Sequence, residues 1–286
     1  MSGIEIGAVS VILIIGLIYA GLYVPIALGL VSFLGVWIIR ANIEKPISLV
    51  AQATADTVSG YFFATVPLFV MMGLLVSKSG LGRDIYQVAN RAFYRLRGGL
   101  GIATVAANAV FASVTGSSIA SASVFARVSV PEMRRFHYGR RFSVGVVAGS
   151  SVLGMLIPPS VMLIIYAVVA EQSVGQMFIA GIIPGIVLSA AYGVAILALA
   201  YGAPLFVGGR RPGVPAPDPE PLAAMATIAK MAPIVILVVL VLGGIYGGVF
   251  TPTEAGAAGA LAALVIALVK RRIGWAGLWE VLIETG

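Results

Sequence analysis

Two helix-breaking patches interrupt otherwise apolar stretches of this chain. The first is Ser113-Val114-Thr115-Gly116-Ser117-Ser118, and the second runs from Gly149-Ser150-Ser151 through Gly154 to Leu156-Ile157-Pro158-Pro159-Ser160. Lipid cannot satisfy free backbone N–H and C=O groups, so unwound chain at membrane depth is tolerated only where it faces protein or a watery cavity. That constraint decides how the rest of the sequence is read.

Sixty per cent of the residues are hydrophobic and only 10% are charged, and the mean hydropathy is +1.06. Several apolar runs reach the roughly 20 residues that cross a bilayer core. The expected fold is therefore all-α and polytopic. The 35 glycines and 15 prolines fit membrane helices, which tolerate both. With no cysteine and a single histidine, His137, disulfides, thiolate metal sites and multi-histidine sites within the chain are excluded. The net charge of +7 falls in short loops between apolar runs. Its reading is membrane topology rather than nucleic-acid binding. The N-terminus does not read as a cleaved leader, since Glu5 stands where a basic residue belongs and the apolar pattern continues past Tyr23.

Spans are expected at about 5–22, 24–39, 61–78, 142–170, 176–203, 225–248 and 253–269. Residues 44–58 and 82–97 are too polar to cross and are expected along the interface. The stretch 98–134 is too long for one span, breaks at 115–118 and carries basic residues at both ends. A re-entrant hairpin fits it. With an outside N-terminus and that hairpin, all of the 18 Lys and Arg residues except Arg40 and Lys45 fall on or toward the cytoplasmic side, a strong positive-inside bias. An odd number of crossings would send the later basic clusters outward.

A faint internal repeat accompanies this pattern. Val24-Pro25 opens a small-residue helix followed by a polar interfacial stretch, and Thr251-Pro252 does the same in the opposite membrane sense. Inverted repeats of this kind are characteristic of transporters. The organisation expected is residues 1–60 as scaffold helices and an interfacial arm, and 61–203 as a first bundle with hairpin 98–134 and broken helix 142–170. A connector at 204–221 and the start of a second repeat at 222–286 follow. The second copy stops at Gly286, before its own hairpin and broken helix, so the chain is expected to lack part of a transporter. The connector holds Pro204, Pro212, Pro215, Pro217, Pro219 and Pro221. It reads either as a stiff link between moving and fixed parts or as an ordinary cytoplasmic loop.

Thr115, Ser117 and Ser118 bring hydroxyl oxygens to the first break, and Gly116 lets the chain turn with its carbonyls exposed. Such neutral oxygens suit a monovalent cation, and the lack of a nearby carboxylate argues against a divalent one. The competing reading is small-residue helix packing, to which Ser121 and Ser123 belong. In the second break Pro158 and Pro159 lack N–H groups and free carbonyls upstream. The backbone carbonyls of Gly154, Leu156 and Ile157 are then expected to offer ion ligands. A half-helix beginning near Pro159 would aim its positive end at the same centre, with Ser160 beside it. A simple proline kink is the alternative. Substrate contacts are expected at Ser117, Ser118 and Ser160.

Pro67 reads as a kink, Arg127 as a snorkelling residue and His137 as an exposed juxtamembrane one. Glu254 reads as a first-turn carboxylate, and Trp275 and Trp279 as interface anchors. No His-Glu-x-x-His, Gly-x-Ser-x-Gly or Walker loop is present, so an enzyme or ATP-driven pump is not expected. No cofactor is expected beyond sodium as a coupling ion.

These residues carry a family resemblance. Thr115-Gly116-Ser117-Ser118-Ile119-Ala120-Ser121-Ala122 followed by Val130-Pro131-Glu132-Met133 resembles the first re-entrant hairpin of the large membrane subunit (DctM type) of TRAP transporters, the tripartite ATP-independent periplasmic family. Gly154-Met155-Leu156-Ile157-Pro158-Pro159-Ser160 resembles the helix after it. Phe178-Ile179-Ala180-Gly181-Ile182-Ile183-Pro184-Gly185, Gly247-Gly248-Val249-Phe250-Thr251-Pro252-Thr253-Glu254 and Pro67-Leu68-Phe69 before Met72-Gly73 are similar to further signatures. The resemblance implies a sodium-coupled elevator-type importer of organic anions, such as C4-dicarboxylates or sialic acid, in a bacterial inner membrane with the N-terminus periplasmic. It implies a small four-helix membrane subunit and a periplasmic substrate-binding protein as partners. It maps a first sodium site to 115–118 and 154–159. The other readings are a single-component dicarboxylate/sodium symporter and a non-transporting membrane assembly subunit.

Overall fold

The computed structural model describes residues 3–59, 64–208 and 223–285. Among them the chain is helical, with no strand beyond one isolated bridge between Tyr138 and Gly208. It divides into two compact units at residues 63 and 64.

The first unit holds α1 (Gly3–Tyr19), α2 (Val24–Arg40) and α3 (Glu44–Ser59). Pro25 lies in the first turn of α2, where its missing N–H would have no helical partner anyway. α1 and α2 pack together and α3 packs on α2. Most of their large apolar side chains face outward, among them Ile12, Ile15, Leu28 and Ile38.

In the second unit, α4 (Thr65–Lys78) and α5 (Leu81–Phe93) meet at a 64° bend. The turn uses Gly80 at φ 78°, a left-handed conformation that only glycine adopts cheaply. Pro67 is the third residue of α4. Its absent N–H is one of those a helix start leaves unbonded, so it makes no kink. α5 is not simply polar interfacial chain, because it buries Leu81, Ile85 and Tyr86 while its charged face stays outside.

The hairpin is α6 (Gly99–Thr115) and α7 (Ser118–Arg135), joined through Gly116 and Ser117. Its arms are held by an edge-on contact of Phe111 with Phe125, centroids 5.5 Å apart, and by the buried Thr104 and Ser129 hydroxyls at 2.6 Å. The broken helix is α8 (Arg140–Ser151) and the short α9 (Leu153–Leu156), then an extended segment, then α10 (Val161–Val169) at 42° to the first part. α11 (Val174–Gly202) follows, with the single turn α12 (Pro204–Val207). Pro204 thus opens a helical turn rather than a loop, and the Val207 carbonyl accepts the Gly139 N–H at 2.9 Å. The remaining prolines of the expected connector lie outside the described residues, as do 61–63 of the expected third span.

α13 (Ala224–Val238) continues through a π-helical stretch at Val239–Gly243 into α14 (Gly244–Tyr246). α15 (Pro252–Val269) and α16 (Trp275–Thr285) complete the unit. α15 packs along α4, where the buried Thr65 and Thr253 hydroxyls are 2.6 Å apart. Two ion pairs, Asp84 with Lys270 and Lys78 with Glu280, tie α5 to the end of α15 and α4 to α16. By length and composition Val174–Gly202, Ala224–Tyr246 and Pro252–Val269 can each cross a membrane, and the two bent pairs raise the number to five.

Candidate functional site

Each break has a local cause. α6 stops because Gly116 takes φ 59°, and α7 restarts with Ser117 as its cap, the hydroxyl accepting the Ala120 N–H at 3.3 Å. α9 stops because a residue before proline is pushed out of the helical region, and Ile157 is extended at ψ 124°. Ser160 caps α10. Its hydroxyl donates to the Met155 carbonyl at 2.6 Å and accepts the Leu163 N–H at 3.5 Å. The second half-helix therefore begins at Val161 and not at Pro159, since two prolines and a capping serine come first.

The two breaks touch. The Val161 N–H donates to the Gly116 carbonyl at 3.2 Å. A β-carbon at Gly116 would stand 2.4 Å from the Pro159 oxygen, and one at Gly154 would stand 2.7 Å from the Ser117 carbonyl. Thr115, Gly116, Gly154, Pro158, Pro159 and Ser160 are buried, while Ser117 and Ser118 are partly exposed. Thr115 donates to the Phe111 carbonyl at 3.0 Å, which leaves its oxygen lone pairs available.

Sequence reasoning grouped Gly154, Leu156, Ile157, Pro158 and Pro159 together. The structure divides them. Gly154, Pro159 and Ser160 meet the hairpin tip. Leu156, Ile157 and Pro158 lie against α11, where β-carbons at Gly181 and Gly185 would stand 2.6 Å from the Leu156 oxygen and 2.7 Å from Ile157 Cγ1. The extended segment is threaded between tip and α11, and only two glycines four residues apart leave room for it. Sequence reasoning gave these glycines no role in the site. Their Gly-x-x-x-Gly spacing, which lets backbones approach closely in membranes, was the available signal. Gly73 of α4 does the same beneath the tip, 2.5 Å from the Thr115 oxygen by its β-carbon position.

Below the tip, the buried Asn108 Nδ2 donates to Ser150 Oγ at 2.6 Å and links α6 to α8. Arg127 and His137 are exposed and take no part in the tip. Three helix ends thus converge beside Gly154. The C-terminal end of α6 brings carbonyl oxygens, and the N-terminal ends of α7 and α10 bring N–H groups and partial positive charge. Such a junction can hold a small cation on neutral oxygens and place an anion beside it.

A family model described as "Tripartite ATP-independent periplasmic transporter, DctM component" matches residues 11–286. The chain belongs to the DctM family. It is 35% identical over 232 residues to the C4-dicarboxylate TRAP transporter large permease protein of Pseudomonas aeruginosa, covering 81% of this chain and 52% of that one. With the sialic acid TRAP transporter large permease protein of Vibrio cholerae it shares 30% over 272 residues, 95% of this chain and 61% of the relative. With the ectoine/5-hydroxyectoine large permease of Ruegeria pomeroyi the figures are 31% over 268 residues, 92% and 59%. The chain spans a little over half the length of these relatives. DctM membership and the apolar spans make it a multi-pass membrane protein of a transporter family, not an enzyme family.

Proposed function

We propose that this chain forms the cation- and substrate-handling part of the large permease in a sodium-coupled, binding-protein-dependent importer of organic anions in a bacterial inner membrane. The observation that carries the reading is the contact between the two breaks through Gly116 and Val161. Sodium is bound by oxygens of Thr115, Gly116, Ser117 and Ser118 together with the backbone at Gly154 and Pro159. Leu156, Ile157 and Pro158 form the wall behind them. A substrate carboxylate rests at Ser117, Ser118 and Ser160, drawn by the N-terminal ends of α7 and α10. The bundle carrying the junction moves as an elevator. A small four-helix membrane subunit and a periplasmic binding protein complete the system, and the N-terminus is periplasmic. The substrates in the relatives' names, C4-dicarboxylate and sialic acid among them, support a carboxylate cargo.

The test is uptake of a labelled C4-dicarboxylate or sialic acid into proteoliposomes holding the permease and the small subunit. Uptake is expected only with an inward sodium gradient and added binding protein. Uptake without the binding protein would point to a single-component symporter. The paired change Ser117→Ala and Ser118→Ala is expected to raise the sodium concentration needed for half-maximal uptake about tenfold, the scale of one lost hydrogen-bonding ligand. Unchanged sodium dependence would remove the site.

A further inference from the structure

An apolar groove of about 640 Å³ lies between α6 and α11, inside the roughly 300–1,000 Å³ range of small-molecule pockets. On α6 it follows one face from Ile102 to Ser113, and on α11 from Ile182 to Gly193. Ile157 and Pro158 of the second break, Phe93 and Leu242 also line it. Among the described residues its only polar side chains are Ser113 and Ser189. Both hydroxyls donate to their own helices, Ser113 to Val110 at 2.7 Å and Ser189 to Gly185 at 2.8 Å. The walls therefore offer no hydrogen-bond donor, and the guest they suit is a hydrocarbon.

The length fits a membrane guest. Eleven helical steps from Ile102 to Ser113 span about 16 Å, close to half of the ~30 Å hydrocarbon core and so the depth of one leaflet.

Just before α6 the chain is basic, and its arginines meet aromatic rings. The Arg97 guanidinium lies 5.1 Å from the Tyr201 ring centroid and that of Arg95 lies 5.5 Å from the Tyr94 ring. Both arginines are exposed, four residues or fewer beyond Phe93. Basic pockets beside membrane helices bind anionic headgroups, and guanidinium groups grip phosphate through paired N–H donors.

We propose that the groove holds one acyl chain of an anionic phospholipid, its headgroup phosphate on Arg95 and Arg97 and its tail end against Ile157 and Pro158. The lipid then forms part of the wall behind the second break.

The experiment uses the whole chain in nanodiscs containing phosphatidylglycerol or phosphatidylcholine with a photoreactive diazirine at the tail end. Crosslinked residues are mapped by mass spectrometry. Phosphatidylglycerol is expected to label residues 109–113 and 157–158 in preference to phosphatidylcholine. Arg97→Gln and Arg95→Gln are each expected to cut that preference about fivefold, the scale of one basic residue at an anionic surface. Ala109→Trp fills the groove and should abolish the labelling. Ala109→Leu, a milder change, should reduce it if the tryptophan variant does not fold. Equal labelling by the two lipids, or labelling indifferent to both position-109 variants, overturns the proposal. So does a photoreactive residue at Ala109 that crosslinks to protein and not to lipid.

Discussion

Gly154 of α9 packs so tightly on Ser117 of the hairpin tip that a β-carbon would stand 2.7 Å from the Ser117 carbonyl carbon and oxygen and 2.9 Å from the Ser118 nitrogen. Both neighbours are backbone and cannot swing aside. Gly154→Ala is therefore expected to cost about 1–3 kcal/mol, the range for overpacking, and to part the two breaks. Thermal unfolding in sodium chloride against choline chloride checks this. The variant should melt earlier and lose any sodium-specific rise in Tm. Gly145→Ala is the control. Nothing lies within 4 Å of a β-carbon there, so it should be neutral or stabilising by up to ~1 kcal/mol.

The Asn108–Ser150 bond makes a separate prediction. Both side chains are fully buried, and Asn108 Oδ1 has no partner among the described residues. Ser150→Ala should cost about 1–3 kcal/mol by stranding a buried amide donor. Asn108→Leu combined with Ser150→Ala should cost less than the sum of the singles. A double-mutant cycle by chemical denaturation measures the coupling, and strict additivity would mean the bond ties nothing.

Glu280 carries a pH dependence. A hydrogen bond from Lys78, 2.5 Å away, and then the charge of that lysine hold its carboxyl below the ordinary range. The pKa is depressed on folding, so its contribution is present above the unfolded value of about 4.3. It is lost as pH falls through the folded value. Hydrogen exchange should show protection of α16 falling on acidification below that unfolded value. Glu280→Gln should lack this step.

Thr251 and Glu254 form a reciprocal cap at the start of α15. The Thr251 hydroxyl accepts the Glu254 N–H, and the Glu254 carboxylate accepts the Thr251 N–H at 2.8 Å. Thr251→Ala should lower stability by about 1 kcal/mol, while Thr251→Ser should restore most of it. Melting curves of the two variants side by side are the measurement.

Which parts of the architecture were legible in advance follows from chemistry. Gly116 and the Pro158-Pro159 pair disrupt helices by themselves, so both breaks could be placed to within a residue or two. Pairing of the breaks was readable only as a hypothesis, because the contact depends on Gly73, Gly181 and Gly185 of other helices. The Gly-x-x-x-Gly spacing hints at a close approach on α11, but nothing local names the segment that fills it. The division of the second break, with Gly154 and Pro159 toward the tip and Leu156 toward α11, is likewise a tertiary fact. Pro67 was misread because a proline in a first turn and one in mid-helix look alike until the helix start is known. The buried face of α5 was masked by its many charges, and the π-helical stretch has no recognisable residue signature.

That stretch, Val239–Gly243, has a consequence for the helix beyond it. A π-turn accommodates one residue more than an α-turn, so everything after it is rotated by about 100° relative to an uninterrupted α-helix. In that setting Gly244 faces Phe250, where a β-carbon would stand 2.3 Å from the ring. Deleting one residue such as Leu242 would restore ordinary winding and turn a different residue onto the phenyl ring. Loss of a single codon there would thereby dislodge the approach to α15 without touching it.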